Sequence, residues 1–153
     1  MERIFYNIDI VNWIYGTVEK VKTQKIAWNK AWYDTYFELG GKSETSKKKA
    51  CPKNAARVLY ETGRLSNTNL DVKPCSLRHI WETDSRNGAY ALMAVNLLCK
   101  EDQLPLSSLI KKVHKMAKKE FGTSPKSDQG AIKITHILWN TDPKYIKQIE
   151  CEY

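Results

Sequence analysis

From Ile8 onward, apolar side chains return at every third or fourth position, through Val11, Ile14, Tyr15, Val18 and Val21. That is the period at which residues share one face of an α-helix, so the pattern predicts a first helix over roughly residues 5 to 21. A second stretch repeats at the same spacing: Ala27, Ala31 and Phe37 lie beside the stripe Trp28, Trp32 and Tyr36, and Gly40-Gly41 stops it. Aromatic stripes at helical spacing are read as core before they are read as a base-stacking platform, since each ring removes a large apolar area from water. Residues 42 to 49 are polar and read as a loop, with Ser43 or Ser46 available to cap a turn.

Proline suits the first turn of a helix, where its missing N–H is not needed, and glycine suits the position just past the end, so Pro52 and Gly63 bracket a short helix. Cys51 then falls at its N-cap. From Arg64 to Ser85 the period fails, and Ser-Asn-Thr-Asn and Pro74 predict a long loop or a small hairpin. Asp84 or Ser85 caps the next helix, which carries Tyr90, Ala91, Leu92, Ala94, Val95 and Leu98 and is apolar over much of its surface. Pro105 with Ser107 or Ser108 introduces a helix that ends at Gly122. Asp128 caps a last long one containing Ala131, Ile134, Leu138 and Trp139, and a short helix after Pro143 closes the chain through Tyr145, Ile146 and Ile149.

No strand alternation longer than a few residues appears, nor any internal repeat or low-complexity tract. The expected fold is all-α: a compact single-domain bundle of about five to seven helices with one irregular loop or small hairpin at about 64–85. Residues 1–153 form one domain, in which 1–24 read as an N-terminal helix added to a helical core over 25–150. At 153 residues the chain is long enough to bury a core without metal or disulfide staples. Its aromatic content, with five Trp and eight Tyr, speaks against disorder.

Charge changes the picture more than composition does. Twenty-five Lys and Arg against seventeen Asp and Glu give a formal charge of +8, which favours polyanionic partners. The first residues hold no uninterrupted apolar run and no window approaches a membrane span, so the expected setting is cytoplasmic, with no membrane partner. Cys51, Cys75, Cys99 and Cys151 include no Cys-x-x-Cys pair, so they read as free thiols rather than a zinc knuckle or a disulfide scaffold.

Two basic clusters are candidate phosphate contacts. Lys47, Lys48, Lys49, Lys53 and Arg57 gather at the Cys51-Pro52 helix start, where unpaired N–H groups and the positive end of the helix dipole also favour an anion. Lys111, Lys112, Lys115, Lys118 and Lys119 fall in one arc of the helix from Leu109, opposite Leu109, Ile110, Val113, Met116 and Ala117. Lysines without interspersed acids give salt-dependent, sequence-blind affinity for nucleic acid by releasing counterions. The bland alternative is a solvated helix face, and a shared face for the two clusters favours the phosphate reading.

Cys51 is the weak catalytic candidate, because a helix start among lysines lowers a thiol pKa, although the sequence assigns it no base among His79, His114 and His136. Cys75-x3-His79 alone is too few ligands for a metal. The pairs Glu82 with Asp84 and Glu101 with Asp102 are explained by capping and polar turns before a Mg²⁺ site. There is no Gly-rich phosphate loop, no Gly-x-Ser-x-Gly elbow and no His-Glu-x-x-His, so no cofactor or metal is called for and the balance leans away from an enzyme.

The segment Lys49-Ala50-Cys51-Pro52-Lys53-Asn54-Ala55, followed by Leu59, Glu61 and Gly63, resembles the Lys-Gly-Cys-Pro-Lys/Arg-x-Ala helix start of a family of small, functionally uncharacterised prokaryotic proteins. Ala27-Trp28-Asn29-Lys30-Ala31, the stretch from Asn87 to Leu92, and Gln129 to Trp139 are similar to further parts of it, so the likeness spans about residues 25 to 140. The chain departs from the pattern at Ala50, at Arg57 where the family is apolar, and at Tyr60 in place of a second Cys, which weakens a paired-cysteine role. The resemblance implies a compact helical domain and no particular activity. The leading expectation is therefore nucleic-acid phosphate binding, and the alternative a protein-interaction module or inhibitor, in host defence or a mobile element, that uses the loop from Arg64 to Ser85. A Cys-based or metal-based enzyme ranks below both.

Overall fold

The chain opens on a tight turn. Tyr6 and Asn7 both adopt left-handed backbone, with φ of 53° and 64°, as a two-residue hairpin loop of the primed type requires. They join β1 (Ile4–Phe5) to β2 (Ile8–Asp9), antiparallel, with Phe5 opposite Ile8 and Ile4 opposite Asp9. The expected helix from residue 5 therefore starts later: α1 runs over Ile10–Gln24, because the Asp9 carboxylate caps it by accepting the Asn12 N–H, and Lys25 ends it in left-handed conformation. Strands of two residues are too short to leave an alternation in the sequence. This computed structural model describes residues 3–47, 50–125, 127–128 and 130–150.

α2 (Trp28–Glu38) ends as the Gly41 N–H reaches back to the Tyr36 carbonyl. A single turn, α3 (Glu44–Lys47), precedes α4 (Ala50–Glu61). Gly63 has φ of 75°, and a Cβ there would stand 2.0 Å from the Asp71 carbonyl oxygen, so only glycine fits. The irregular stretch predicted for 64–85 contains a helix: α5 (Leu77–Thr83) is capped by the Ser76 hydroxyl and buries Leu77, Ile80 and Trp81. Seven residues are too few for a clear period. What remains loop is held by Arg64, which is 1% exposed and donates to the carbonyls of Thr62 and Lys73 at 2.6 and 2.8 Å.

Ser85 caps α6 (Arg86–Lys100) through the Gly88 N–H. α7 (Leu106–Phe121) stops at Gly122 with φ of 80°, and the Asp128 carboxylate accepts N–H groups of Gly130, Ile132 and Lys133 at the start of α8 (Ala131–Asn140). The short helix predicted after Pro143 does not form. Residues 141–150 run back over the 64–76 loop, with an isolated antiparallel bridge between Leu65 and Ile146; the Lys147 N–H donates to the Arg64 carbonyl, and the Tyr145 carbonyl accepts from the Ser66 N–H. Cross-chain hydrogen bonds replace a helix there and bury Ile146.

Among the described residues the fold is all-α apart from the hairpin, with seven helices of about two turns or more and the single turn α3. α6 lies at its centre, against α4, α5, α7 and α8, and α8 packs in turn against α4 and α7. α1 joins the core through α2: Trp13 stacks on Trp32 at 4.2 Å and donates its indole N–H to the Trp32 carbonyl, and both rings are fully buried. The residues read as an added N-terminal helix thus contribute to the same apolar cluster as Leu59, Leu92 and Trp139. Cys51 and Cys99 carry thiols, whereas Cys75 is in a disulfide, which corrects the expectation of a thiol at that position.

Candidate nucleic-acid interface

α7 owes its place to Leu109, Val113 and Ala117, which recur four apart and are fully buried. That anchoring turns the opposite arc outward. Lys111, Lys115, Lys118 and Lys119 are exposed, and among the described residues no carboxylate pairs with them. Lys112 differs, because its Nζ lies 2.7 Å from Glu101. One edge of α7 thus presents four unneutralised cations within three turns.

The cluster at the start of α4 is used differently. Lys47 pairs with Glu44 at 2.8 Å and its Nζ stands 4.6 Å from the centre of the Phe37 ring. Lys53 is only 8% exposed and donates to the Tyr33 hydroxyl at 3.1 Å. Arg57 bridges Glu61 and Asp84 at 2.8 and 2.7 Å; burial works against its charge, but those two carboxylates hold its pKa above the ordinary arginine value. Lys48 and Lys49 lie outside the described residues. The described cations here therefore tie α3 and α4 to α2, and α4 to the turn between α5 and α6, rather than facing a partner, and α6 and α8 lie between α4 and α7.

A different set of side chains joins the α7 lysines. The Phe121 and Trp81 rings stack at 4.5 Å with 11° between their planes, which docks α5 on the end of α7. The guanidinium of Arg78 sits 5.2 Å from the Phe121 ring and that of Arg86 sits 4.7 Å from the Trp81 ring, each a cation–π contact. The result is a basic and aromatic edge built from α5, α6 and α7. Sequence reasoning missed it for two reasons: the α5 segment read as loop, and Phe121 lies 40 residues from Trp81. The one available local signal was the three-residue spacing of Arg78 and Trp81.

The acidic pairs read as caps and turns are engaged within the chain. Asp84 holds Arg57, Glu82 lies 3.6 Å from Arg78, and Glu101 holds Lys112. Asp102 accepts from the Trp139 indole and from Lys144, hydrogen bonds that keep its carboxyl below the usual carboxylate range. Among the described residues no three His, Cys, Asp or Glu side chains come together as a metal site. The Cys75-x3-His79 pair is dissolved as well, since Cys75 is disulfide-bonded and the His79 ring nitrogen meets the Thr83 hydroxyl at 3.3 Å. Cys51 stands inside the first turn of α4, half-buried, rather than at its cap.

Comparison with known proteins is brief. No curated protein and no solved structure matches the chain. A family model does match, from residue 14 to residue 145, so that α2 to α8 and most of α1 lie within it. The chain therefore belongs to that family, DUF6979, a family of unknown function.

Proposed function

We propose that this protein binds the phosphate backbone of a nucleic acid along the edge formed by α7 with α5 and the start of α6. The observation that carries the reading is the row of exposed Lys111, Lys115, Lys118 and Lys119, free of carboxylate partners among the described residues. Arg78 and Arg86 extend it, since a guanidinium forks onto phosphate oxygens as well as stacking on rings. The contacts are to backbone and independent of sequence, because lysines meet phosphate oxygens as point charges and no helix-turn-helix spacing names a recognition helix. Of the α4 cluster, Lys47, Lys53 and Arg57 act from within the fold, and any phosphate contact from that end falls to Lys48 and Lys49.

The test is fluorescence anisotropy of labelled single-stranded and duplex DNA and RNA, titrated from low to near-physiological salt. Binding with a steep salt slope is the expected result, and Lys115→Glu with Lys118→Glu should weaken it for every sequence while leaving the thermal melt in place. Unaltered binding in that double variant, or no binding at low salt, overturns the reading. A protein-partner reading is favoured by a separate observation, the exposure of both Phe37 and Leu39 where α2 ends. Recovery of one stoichiometric protein after nuclease treatment, lost in Phe37→Ser, would select it.

A further inference from the structure

Arg64 is the one arginine that the fold buries, at 1% exposure, and no carboxylate of a described residue pairs with it. Arg3, Arg57 and Arg78, all less buried, each have such a partner. A guanidinium keeps its proton throughout the accessible pH range, so Arg64 holds a positive charge inside the molecule without a counter-charge. Taking an ion out of water unpaired is costly for any fold. Burial accordingly lowers the Arg64 pKa below the ordinary arginine value, with no acid pulling it back.

The hydrogen bonds of Arg64 leave one edge of the guanidinium unfilled. Nη1 spends both its N–H groups on the carbonyls of Thr62 and Lys73, which hold the loop. Nη2 directs one N–H at Cys75 Sγ, 3.6 Å away, and a disulfide sulfur is a weak acceptor. Nε is shut off from water and has no acceptor at all. Nε and Nη2 form the fork that a carboxylate spans with its two oxygens.

Arg64 also lines a cleft of about 310 Å³ between the loop before α5 and residues 149–150. Lys73 brings a second cation to it, and Val72, Pro74 and Ile149 supply apolar surface, a combination that suits a small molecule with one charged end. Glu150 lines the cleft too, but it is exposed and forms no ion pair with Arg64 or Lys73. The side chains of Lys73, Pro74 and Ile149, exposed residues of the cleft, hold no hydrogen bond that an entering molecule would have to break.

We propose that this cleft binds a small organic carboxylate, whose oxygens accept the Nε–H and the remaining Nη2–H of Arg64 while its hydrocarbon body lies against Val72, Pro74 and Ile149. The ligand supplies the counter-charge that the fold omits and satisfies the orphaned Nε. Lys73 adds attraction from the exposed side of the cleft. Phosphate suits it less, since it brings no apolar body and sets a second negative charge near Glu150. Because the ligand bridges the loop before α5 and the residues after Ile146, binding should stabilise the folded chain.

The probe is hexanoate, with hexanamide and inorganic phosphate as controls, added to the full chain without reductant so that the Cys75 disulfide stays closed. Heteronuclear NMR of the arginine side-chain N–H groups reads Nε of Arg64 directly. Hexanoate should move that signal downfield to saturation with a dissociation constant of about 1 mM or tighter, and should raise the melting temperature in step. Hexanamide, alike in shape but uncharged, and phosphate should each bind at least about tenfold more weakly. Arg64 itself is left in place, since the loop depends on its two carbonyl contacts. Lys73→Glu, at an exposed position, should weaken hexanoate by about three- to tenfold and leave the melt of the ligand-free protein unchanged. An Arg64 signal that stays put well above that concentration, or that answers hexanamide equally, overturns the carboxylate site. Phosphate binding as tightly as hexanoate overturns the apolar half of the ligand, and unchanged affinity in Lys73→Glu overturns the part given to Lys73. None of these outcomes bears on the α7 edge, with which the cleft shares no residue.

Discussion

Tyr15 shows how far one buried hydroxyl is moved by its surroundings. Its OH donates to the Ser66 carbonyl at 2.7 Å, and burial pushes its pKa from 10.0 up to about 12, against the Ser66 side chain, which works the other way. Because the neutral phenol is the form that the fold favours, its contribution to stability is full below pH 10 and is lost as pH rises toward about 12. The melting temperature should therefore fall over that window, and Tyr15→Phe should make the fall shallower; an identical alkaline limb in the variant would show that other phenols set it. Gly88 makes the opposite point, about space. A Cβ there would stand 2.4 Å from Val58 Cγ2, so α4 and α6 touch only because the side chain is missing. Gly88→Ala should destabilise by about 1–3 kcal/mol in denaturant unfolding through overpacking, even though alanine is the better helix former.

Among the elements, the helices with caps were the readable ones. Of Asp84 and Ser85, the two residues that could cap α6, Ser85 does so; Asp128 caps α8 as expected, and Gly63 and Gly122 end their helices in left-handed conformation. Asp128→Ala should cost about 1 kcal/mol measured by thermal or denaturant unfolding, since three N–H groups at the start of α8 lose their acceptor. Where elements were misread, the reason is length. The hairpin offers two residues per strand and α5 seven residues, below what a period of 2.0 or 3.6 needs to declare itself. The segment after Pro143 has apolar residues at helical spacing, but Leu65 takes Ile146 into a bridge instead. α7 was the element most completely legible, because an amphipathic helix names its buried and exposed faces together. Its lysines should contribute to nucleic-acid affinity through number rather than position, so Lys111→Glu and Lys119→Glu should each reduce the salt slope by a similar step in anisotropy titrations.

For the whole molecule, the question is whether the N-terminal segment is an addition or part of the core. Trp13 stacks on Trp32 and packs tilted against Tyr36, and Lys22 donates to the Thr68 carbonyl across to the loop after α4. Removal of residues 1–24 should accordingly abolish cooperative unfolding and the near-ultraviolet signal of packed tryptophan, whereas a separable helix would leave both intact. The sequence by itself determined the helical class, most helix limits and the polarity of α7, because periodicity, caps and breakers act over four or five residues and are written locally. It could not determine which cations remain free: Lys53 and Arg57 look like Lys115 in composition, and only packing beside Tyr33, Glu61 and Asp84 turns them inward.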